Sequence, residues 1–222
     1  MSVPESFENP EEYHLHNVEG TKSVIDVAQK NRAKIVFSSS AAVYGELDRA
    51  ATETDLLHPL SSYAQNKCDG EELLKNSSVP NVILRYFNVY GPGQSAAYAG
   101  VITAFIQAAL KNEDLILYGN GEQVRDFIYV DDVARANIAA MESVIDSGEI
   151  FNIGSGTIVS IRELAKDIIR LTSSSSAIRY EASRLGDIIY SKADVSKANE
   201  LLGFSTQVPL EEGLRRTIES FI

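Results

Sequence analysis

The residues of this sequence that are best suited to chemistry are a tyrosine and a lysine four positions apart. Tyr63 and Lys67 lie in a segment with helical spacing, so their side chains occupy one face of a helix, one turn apart. A tyrosine with its ordinary pKa of about 10 is a poor base at neutral pH, whereas a nearby ammonium favours the phenolate. The pair therefore indicates a base for proton abstraction. Because this spacing occurs often by chance, it needs support from its surroundings.

A serine that follows a strand-like run gives that support. Lys34-Ile35-Val36-Phe37 is a short apolar run that ends in serines, and Ser40 lies just beyond it. The run predicts a buried strand, and ligands bind at the carboxyl ends of strands in open α/β sheets. We therefore expect Ser40, Tyr63 and Lys67 to meet above a parallel sheet.

Alternating helical and strand-like segments form the predicted scaffold. Helical spacing covers 11–30, 61–76, 101–111, 131–141 and 211–222, and apolar runs predict strands at 81–86, 115–118 and 150–153. Ser160 and Glu163 form a capping box ahead of a further amphipathic helix. This alternation predicts an α/β protein with a mostly parallel sheet. We interpret Asp131 and Asp132 as acids at a helix start, not as a metal site.

Composition and charge exclude several classes of protein. The chain has 222 residues, 44% of them hydrophobic, and a net charge of −11, which argues against a broad surface for nucleic acids or anionic membranes. No apolar run approaches the ~18 residues of a membrane span, and the N-terminus does not resemble a secretory signal. Cys68 is the single cysteine, so no intrachain disulfide forms. We expect a cytoplasmic protein.

Several ordered motifs carry a family resemblance. They are Ser-Ser-Ser-Ala-Ala-Val-Tyr-Gly at 38–45, Ser-Tyr-Ala-Gln-Asn-Lys at 62–67, Leu-Arg-Tyr-Phe-Asn-Val-Tyr-Gly-Pro-Gly at 84–93, the stretch 119–132, and the pair 184–187 and 193–198. These motifs resemble the extended short-chain dehydrogenase/reductases of the NAD-dependent epimerase/dehydratase family, and UDP-glucose 4-epimerases most closely. The resemblance covers essentially the whole chain.

The resemblance implies a two-domain α/β architecture. One domain is the remainder of a Rossmann-like NAD-binding domain, comprising 1–92 and 125–153, whose first βαβ elements are missing. The other is a smaller mixed α/β domain for the nucleotide sugar, comprising 93–124 and 154–222.

The resemblance also implies catalytic and cofactor roles. Tyr63 resembles the catalytic base, Lys67 its electrostatic partner and a holder of the nicotinamide ribose, and Ser40 the donor to the sugar oxygen. Residues that resemble those near the NAD cofactor are Asn17, Ser38 and Phe87.

A second set of residues resembles the nucleotide-sugar site. Asn88, Arg125, Arg184 and Asp187 resemble groups that hold the nucleotide diphosphate and its ribose, and arginine forks suit phosphate oxygens. The alternative for Asn88 is a turn residue before Gly-Pro-Gly. For the two arginines it is ion pairing at an acidic surface.

The reaction implied is epimerisation at C4 of a UDP-sugar through a 4-keto intermediate. Dehydratases of the family usually carry Thr-Asp-Glu after the strand, whereas Ser40-Ala41-Ala42 has no carboxylate here. A dehydratase or a reductase remains an alternative within the family.

The glycine-rich turn that the family uses for the pyrophosphate of NAD has no counterpart in this sequence. Neither Gly-x-Gly-x-x-Gly nor Gly-x-x-Gly-x-x-Gly occurs, and the acid expected on the adenine ribose is absent too. A sheet without its first strands would expose an edge and apolar helix faces. We therefore expect a covering partner or poor solubility, and the resemblance implies a homodimer through helices 11–30 and 61–76. The alternative is a catalytically incompetent fragment that binds a nucleotide sugar or a partner.

Overall fold

A three-stranded parallel sheet is the centre of the larger part of the molecule. The computed structural model describes residues 3–94, 100–183 and 188–222. Within them the sheet has the order β1-β2-β7, with Ile35 beside Asn81 and Ser40 beside Tyr86 in the first pair. The strands are β1 (Ile35–Ser40), β2 (Asn81–Tyr86), β3 (Asn88–Tyr90), β4 (Leu115–Tyr118), β5 (Val124–Arg125), β6 (Phe127–Tyr129), β7 (Ser147–Ile153), β8 (Val159–Ser160), β9 (Ile178–Glu181) and β10 (Tyr190–Ser191).

The described residues include nine α-helices. They are α1 (Val3–Glu8), α2 (Pro10–His14), α3 (Gly20–Asn31), α4 (Ser62–Lys75), α5 (Val101–Leu110), α6 (Val130–Glu142), α7 (Ile161–Thr172), α8 (Ser196–Leu202) and α9 (Leu210–Glu219). Helix α4 packs on β1, while α6 packs on β1 and β2. Leu84 and Phe151 are fully buried between these layers. The predicted α/β fold with a parallel sheet is present.

Among the predicted elements that differ from those observed, a helix and a strand matter for the site. The helix predicted for 11–30 consists of α2, a π-helical turn at Leu15–Glu19 and α3. The strand predicted as buried at 34–37 was placed too early, because β1 continues through three serines to Ser40, and its apolar residues are only partly buried. Strand β1 pairs with β2 through hydrogen bonds between main-chain groups, so polar side chains do not end the strand.

The edge of β1 that faces away from β2 is open. Among the described residues, β1 has β2 as its single neighbour in the sheet. Residues 3–94, 100–183 and 188–222 include no helix that is both long and apolar enough to cross a lipid bilayer.

A second apolar cluster lies among α5, α7 and α9. Phe105, Leu117, Leu164 and Leu214 are buried in it. The capping box predicted at α7 is present, since the side chain of Ser160 accepts from the amide of Glu163 while the Glu163 carboxylate accepts from the Ser160 amide.

The acidic pair at the start of α6 has an anchoring contact. Asp132 is fully buried, and its carboxylate accepts hydrogen bonds from the amides of Gln207 over 2.9 Å and Val208 over 3.2 Å. Asp131 is exposed in the same first turn. Asp132 therefore joins α6 to the segment that precedes α9.

Candidate active site

Helix α4 begins in a way that fixes the position of Tyr63. The side chain of Ser61 accepts a hydrogen bond from the amide of Ala64 over 3.1 Å, which satisfies a main-chain donor that the helix itself leaves unpaired. The amide of Tyr63 donates to the hydroxyl of Ser6 over 3.2 Å. The first turn of α4 is thereby held, and Tyr63 lies at its edge facing the sheet.

The structure brings Ser40 and Tyr63 to the same cavity. Ser40 is the last residue of β1, and its hydroxyl accepts from the amide of Ala42 over 3.2 Å, at the start of the short helix Ala41–Tyr44. Both Ser40 and Tyr63 line this cavity. Burial raises the pKa of the Tyr63 phenol, and hydrogen bonding from Ser40 lowers it in part. Ser40 and Tyr63 therefore belong to one cavity.

Lys67 contacts the end of β1 from the next turn of α4. Its ammonium donates to the main-chain oxygen of Ser38 over 2.7 Å and lies 5.8 Å from the centre of the Tyr63 ring. Burial lowers the pKa of Lys67, and the charge of Glu71 opposes that effect. The sequence led us to expect that the charge of Lys67 favours the Tyr63 phenolate. Burial of the phenol, which raises its pKa, is the largest effect on Tyr63 in this structure, and the role of Lys67 stays a prediction.

The cavity above the carboxyl ends of β1 and β2 has a volume of about 360 Å³. This is within the range of small-molecule sites in proteins. Its lining combines hydroxyls, cationic groups and apolar surface, and comprises Ser40, Ala41, Ala42, Tyr44, Gly45, Leu47, Arg49, Ala51, Tyr63, Tyr86, Phe87, Asn88, Arg125, Ile188, Tyr190, Ser191 and Lys192.

Three more of the predicted residues line this cavity. Phe87 is buried, with its ring centre 6.5 Å from that of Tyr44. Asn88 donates its side-chain amide to the main-chain oxygen of Asp126 over 2.8 Å. Arg125 lies on β5, next to the strand that carries Ser191. The side chain of Asn88 thus fixes the chain beside Arg125, which the interpretation as a turn residue did not anticipate.

Asp126, which follows Arg125, organises this wall of the cavity. Its buried carboxylate accepts from the amide and hydroxyl of Ser155, each over 2.7 Å, from the amide of Gly156 over 3.0 Å and from that of Ala193 over 3.1 Å. Burial raises its pKa, and these hydrogen bonds oppose the rise. The sequence analysis missed Asp126, although an acid beside a predicted binding arginine was a usable signal.

Three residues predicted near the cofactor, Asn17, Ser38 and Lys67, are not among those that line this cavity. Ser38 is exposed, and its hydroxyl lies 3.1 Å from that of Tyr86. Asn17 lies on the π-helical turn that packs against α4, and its side-chain amide donates to the oxygen of Tyr13 over 2.9 Å. Ser38 and Lys67 are joined by a hydrogen bond, and their hydroxyl and ammonium suit the polar groups of a nicotinamide and its ribose. The sequence has no glycine-rich turn for the pyrophosphate.

Two predicted site residues, Arg184 and Asp187, lie outside the described residues. Their roles stay predictions. The cavity also includes residues that sequence reasoning missed. Among these, Tyr44 and Tyr86 belong to motifs that the analysis quoted without assigning them a role, whereas Arg49 and Lys192 carry no distinguishing local signal.

Comparison with known proteins identifies the family. A profile described as the NAD dependent epimerase/dehydratase family matches residues 1–154. A UDP-N-acetyl-alpha-D-glucosaminuronate decarboxylase of Bacillus cytotoxicus is 39% identical over 237 residues, which cover 100% of this chain and 74% of that protein. A UDP-glucose 4-epimerase of Mycolicibacterium smegmatis is 33% identical over 229 residues, covering 100% and 73%.

Solved structures agree with this result. The chain resembles a UDP-glucose 4-epimerase of Thermotoga maritima in complex with UDP-glucose, with a TM-score of 0.94 and 38% identity over 99% of this chain and 74% of that one. It also resembles a UDP-N-acetylglucosamine 4-epimerase of Methanobrevibacter ruminantium, with a TM-score of 0.94 and 37% identity over 99% and 73%. The chain therefore belongs to the NAD-dependent epimerase/dehydratase family, whose members include UDP-sugar epimerases.

Proposed function

We propose that this protein is a nucleotide-sugar 4-epimerase of the UDP-glucose/UDP-galactose type, which acts through a 4-keto intermediate. The observation that carries the proposal is that Ser40, at the end of β1, and Tyr63, in the first turn of α4, line one cavity above the parallel sheet. A proton acceptor and a hydrogen-bond donor beside each other can serve one sugar hydroxyl.

Each of the three central residues has a distinct part in this mechanism. Tyr63 accepts the proton of the 4-hydroxyl as C4 is oxidised, and returns it when C4 is reduced. Ser40 donates a hydrogen bond to the same oxygen, and Lys67 supplies positive charge beside Tyr63. Bound NAD supplies the reversible removal of a hydride from C4. The residues proposed to hold its nicotinamide and ribose are Asn17, Ser38, Tyr63, Lys67 and Phe87.

The residues after Ser40 favour epimerisation over water elimination. Elimination needs an acid and a base beside the sugar, whereas Ala41 and Ala42 line the cavity at the positions concerned. These small side chains also leave room for the 4-keto sugar to present its other face. The nucleotide diphosphate is proposed to contact Asn88, Arg125, Arg184 and Asp187.

Decarboxylation of a UDP-sugar acid is a second candidate, because one relative is a decarboxylase at 39% identity. Incubation of the protein with NAD and either UDP-glucose or UDP-glucuronate, followed by chromatography of the nucleotide sugars, separates the two. We expect UDP-galactose from UDP-glucose. A pentose product from UDP-glucuronate, with UDP-glucose left unchanged, would replace our proposal by decarboxylation.

Whether this chain holds NAD decides between an enzyme and a nucleotide-sugar-binding fragment. Calorimetric titration with NAD, with and without UDP, measures this. We expect the chain to bind NAD, and we expect Lys67→Met to bind NAD with lower affinity. Binding of UDP-glucose with no heat from NAD at millimolar concentration would identify a binding fragment.

We further propose a homodimer through α3 and α4. The supporting observation is that Val24 and Val27 on α3 are 55% and 59% exposed, as is Leu15 at 59% on the preceding turn. Apolar side chains grouped on neighbouring turns of a helix are typical of an interaction surface. Analytical ultracentrifugation of Val24→Glu beside the unsubstituted protein tests it, since a charged residue at a dimer contact should produce monomers.

A further inference from the structure

A third ionisable residue continues the spacing of Tyr63 and Lys67 along α4. Glu71 follows Lys67 by one turn, its side chain is 1% exposed, and the proposed mechanism gives it no part. A buried carboxylate is costly unless it is paired and hydrogen-bonded, so its partners indicate what it holds in place.

Arg85 on β2 and Ser39 on β1 are those partners. Arg85 makes a two-pronged contact with Glu71, from Nε to Oε1 over 2.9 Å and from Nη2 to Oε2 over 2.6 Å. The hydroxyl of Ser39 donates to Oε1 over 2.6 Å. Ser39 and Arg85 are direct neighbours in the ladder between β1 and β2. Glu71 therefore attaches α4 to both strands at a single point.

The network continues to the wall of the cavity. Arg85 donates from Nη1 to the hydroxyl of Tyr44 over 2.9 Å, and that hydroxyl donates to Oδ1 of Asn152 over 2.6 Å. Burial raises the pKa of Tyr44 to about 12, so the hydroxyl keeps its proton and can accept and donate at once. Tyr44 lines the cavity, and Asn152 lies on β7.

We propose that Glu71 and Arg85 are positioning residues of the active site, which hold α4 at the height above β1 where Lys67 meets Ser38 and Tyr63 shares a cavity with Ser40. Ser39, which Glu71 binds, lies between Ser38 and Ser40 in the sequence. A shift of α4 along β1 would break the Glu71 contacts and the contact of Lys67 together, and would move Tyr63 relative to Ser40. The inference rests on the proposed function for the roles of Tyr63 and Lys67, whereas the positioning itself is measurable without turnover.

The double variant Glu71→Leu/Arg85→Met tests the proposal without leaving a lone buried charge. Apolar replacement of a buried ion pair often preserves folding. The readout is the rate at which acetic anhydride acetylates Lys67, measured by mass spectrometry. Lys34 is the control, because it also donates to main-chain oxygen, that of Ala140 over 2.7 Å, at the opposite end of β1.

We expect Lys67 to react about fivefold faster in the double variant, the ratio expected for loss of one hydrogen bond, with the rate of Lys34 unchanged. An unchanged ratio of the Lys67 rate to the Lys34 rate in the folded variant would overturn the proposal. This includes the case in which both lysines react faster by the same factor. Ser39→Ala is measured beside the double variant in every case, because it keeps the Glu71 charge, which raises the pKa of Lys67. We expect Lys67 to react faster in Ser39→Ala as well, and an unchanged ratio in that variant would overturn the proposal even if the double variant reacts faster.

A kinetic arm distinguishes positioning from general stabilisation. In Ser39→Ala we expect kcat to fall while KM for UDP-glucose is preserved, because Ser39 is not among the residues proposed to hold the nucleotide. Normal kcat in the variant would count against positioning. Absence of turnover in the unsubstituted chain would refute the proposed function alone, since the acetylation ratio would still decide the role of Glu71 and Arg85.

Discussion

Lys67 and Ser38 are joined by a hydrogen bond of 2.7 Å from the ammonium to the main-chain oxygen. This contact links the helix that carries Tyr63 to the strand that ends in Ser40. Because the acceptor is a main-chain atom, the contact constrains the backbone of β1 and does not depend on the side chain of Ser38. The active site is therefore assembled from the relative position of one helix and one strand.

Replacing Ser40 should change the acidity of Tyr63. Hydrogen bonding from Ser40 lowers a pKa that burial raises, so we expect Ser40→Ala to move it further upward. NMR of protein labelled at Cζ of tyrosine, titrated at alkaline pH and assigned with Tyr63→Phe, measures the midpoint. Ser40→Thr keeps the hydroxyl and should keep the midpoint. A lower midpoint in Ser40→Ala would contradict the coupling of these two groups.

Replacing Glu71 alone should destabilise the fold. Glu71→Gln leaves Arg85 buried without its counter-charge, which costs about 3 kcal/mol in comparable pairs. Urea denaturation gives the free energy of unfolding. The control is Glu19→Gln, which breaks the exposed pair between Glu19 and Lys22 and should have little effect. Similar losses of unfolding free energy in the two variants would show that the buried pair stabilises the fold no more than the exposed pair does.

Two glycines with positive φ should respond differently to alanine. Gly45 has φ +69°, and a Cβ there would collide with the main-chain oxygen of His58, whereas Gly93 has φ +82° and no described atom within 4 Å of that position. We expect Gly93→Ala to cost about 1 kcal/mol for its backbone conformation and Gly45→Ala to cost more. Thermal unfolding of both variants measures which of them loses more stability, and a larger loss in Gly93→Ala would be inconsistent with the close approach of Gly45 to His58.

Arg125 should contribute to recognition of the diphosphate. We expect Arg125→Met to weaken UDP binding by about tenfold, since hydrogen bonds to charged groups are worth roughly 1.5–3 kcal/mol. Its affinity for uridine should be unchanged, which calorimetry can measure in the same variant. Equal losses for UDP and uridine would mean that Arg125 supports the cavity wall and does not recognise phosphate.

Much of the scaffold was predictable because it follows from apolar periodicity. The strand predicted at 81–86 is β2, and the helix predicted for 61–76 differs from α4 by a residue at each end. The three serines of β1 were misjudged because main-chain pairing extends the strand whatever its side chains are. The short strands β5, β8 and β10 have two residues each, too few to show a period.

The site was only partly predictable, for a related reason. Ser40, Tyr63 and Lys67 lie within a short stretch of sequence, so spacing could suggest that they meet. The partners of Glu71 and Asp126 come from distant strands and loops, and their contacts depend on packing that no local pattern encodes. Glu71 did carry one signal, since it continues the four-residue spacing of Tyr63 and Lys67.

The central claim, that Tyr63 is the base of a 4-epimerase, is tested most directly by Tyr63→Phe. The measurement is conversion of UDP-glucose to UDP-galactose in the presence of NAD, with the dissociation constant of UDP-glucose determined in parallel. We predict that turnover falls by at least about 100-fold, the lower range for loss of a general base, while UDP-glucose binding is retained. Turnover by Tyr63→Phe at the rate of the unsubstituted protein would contradict the claim.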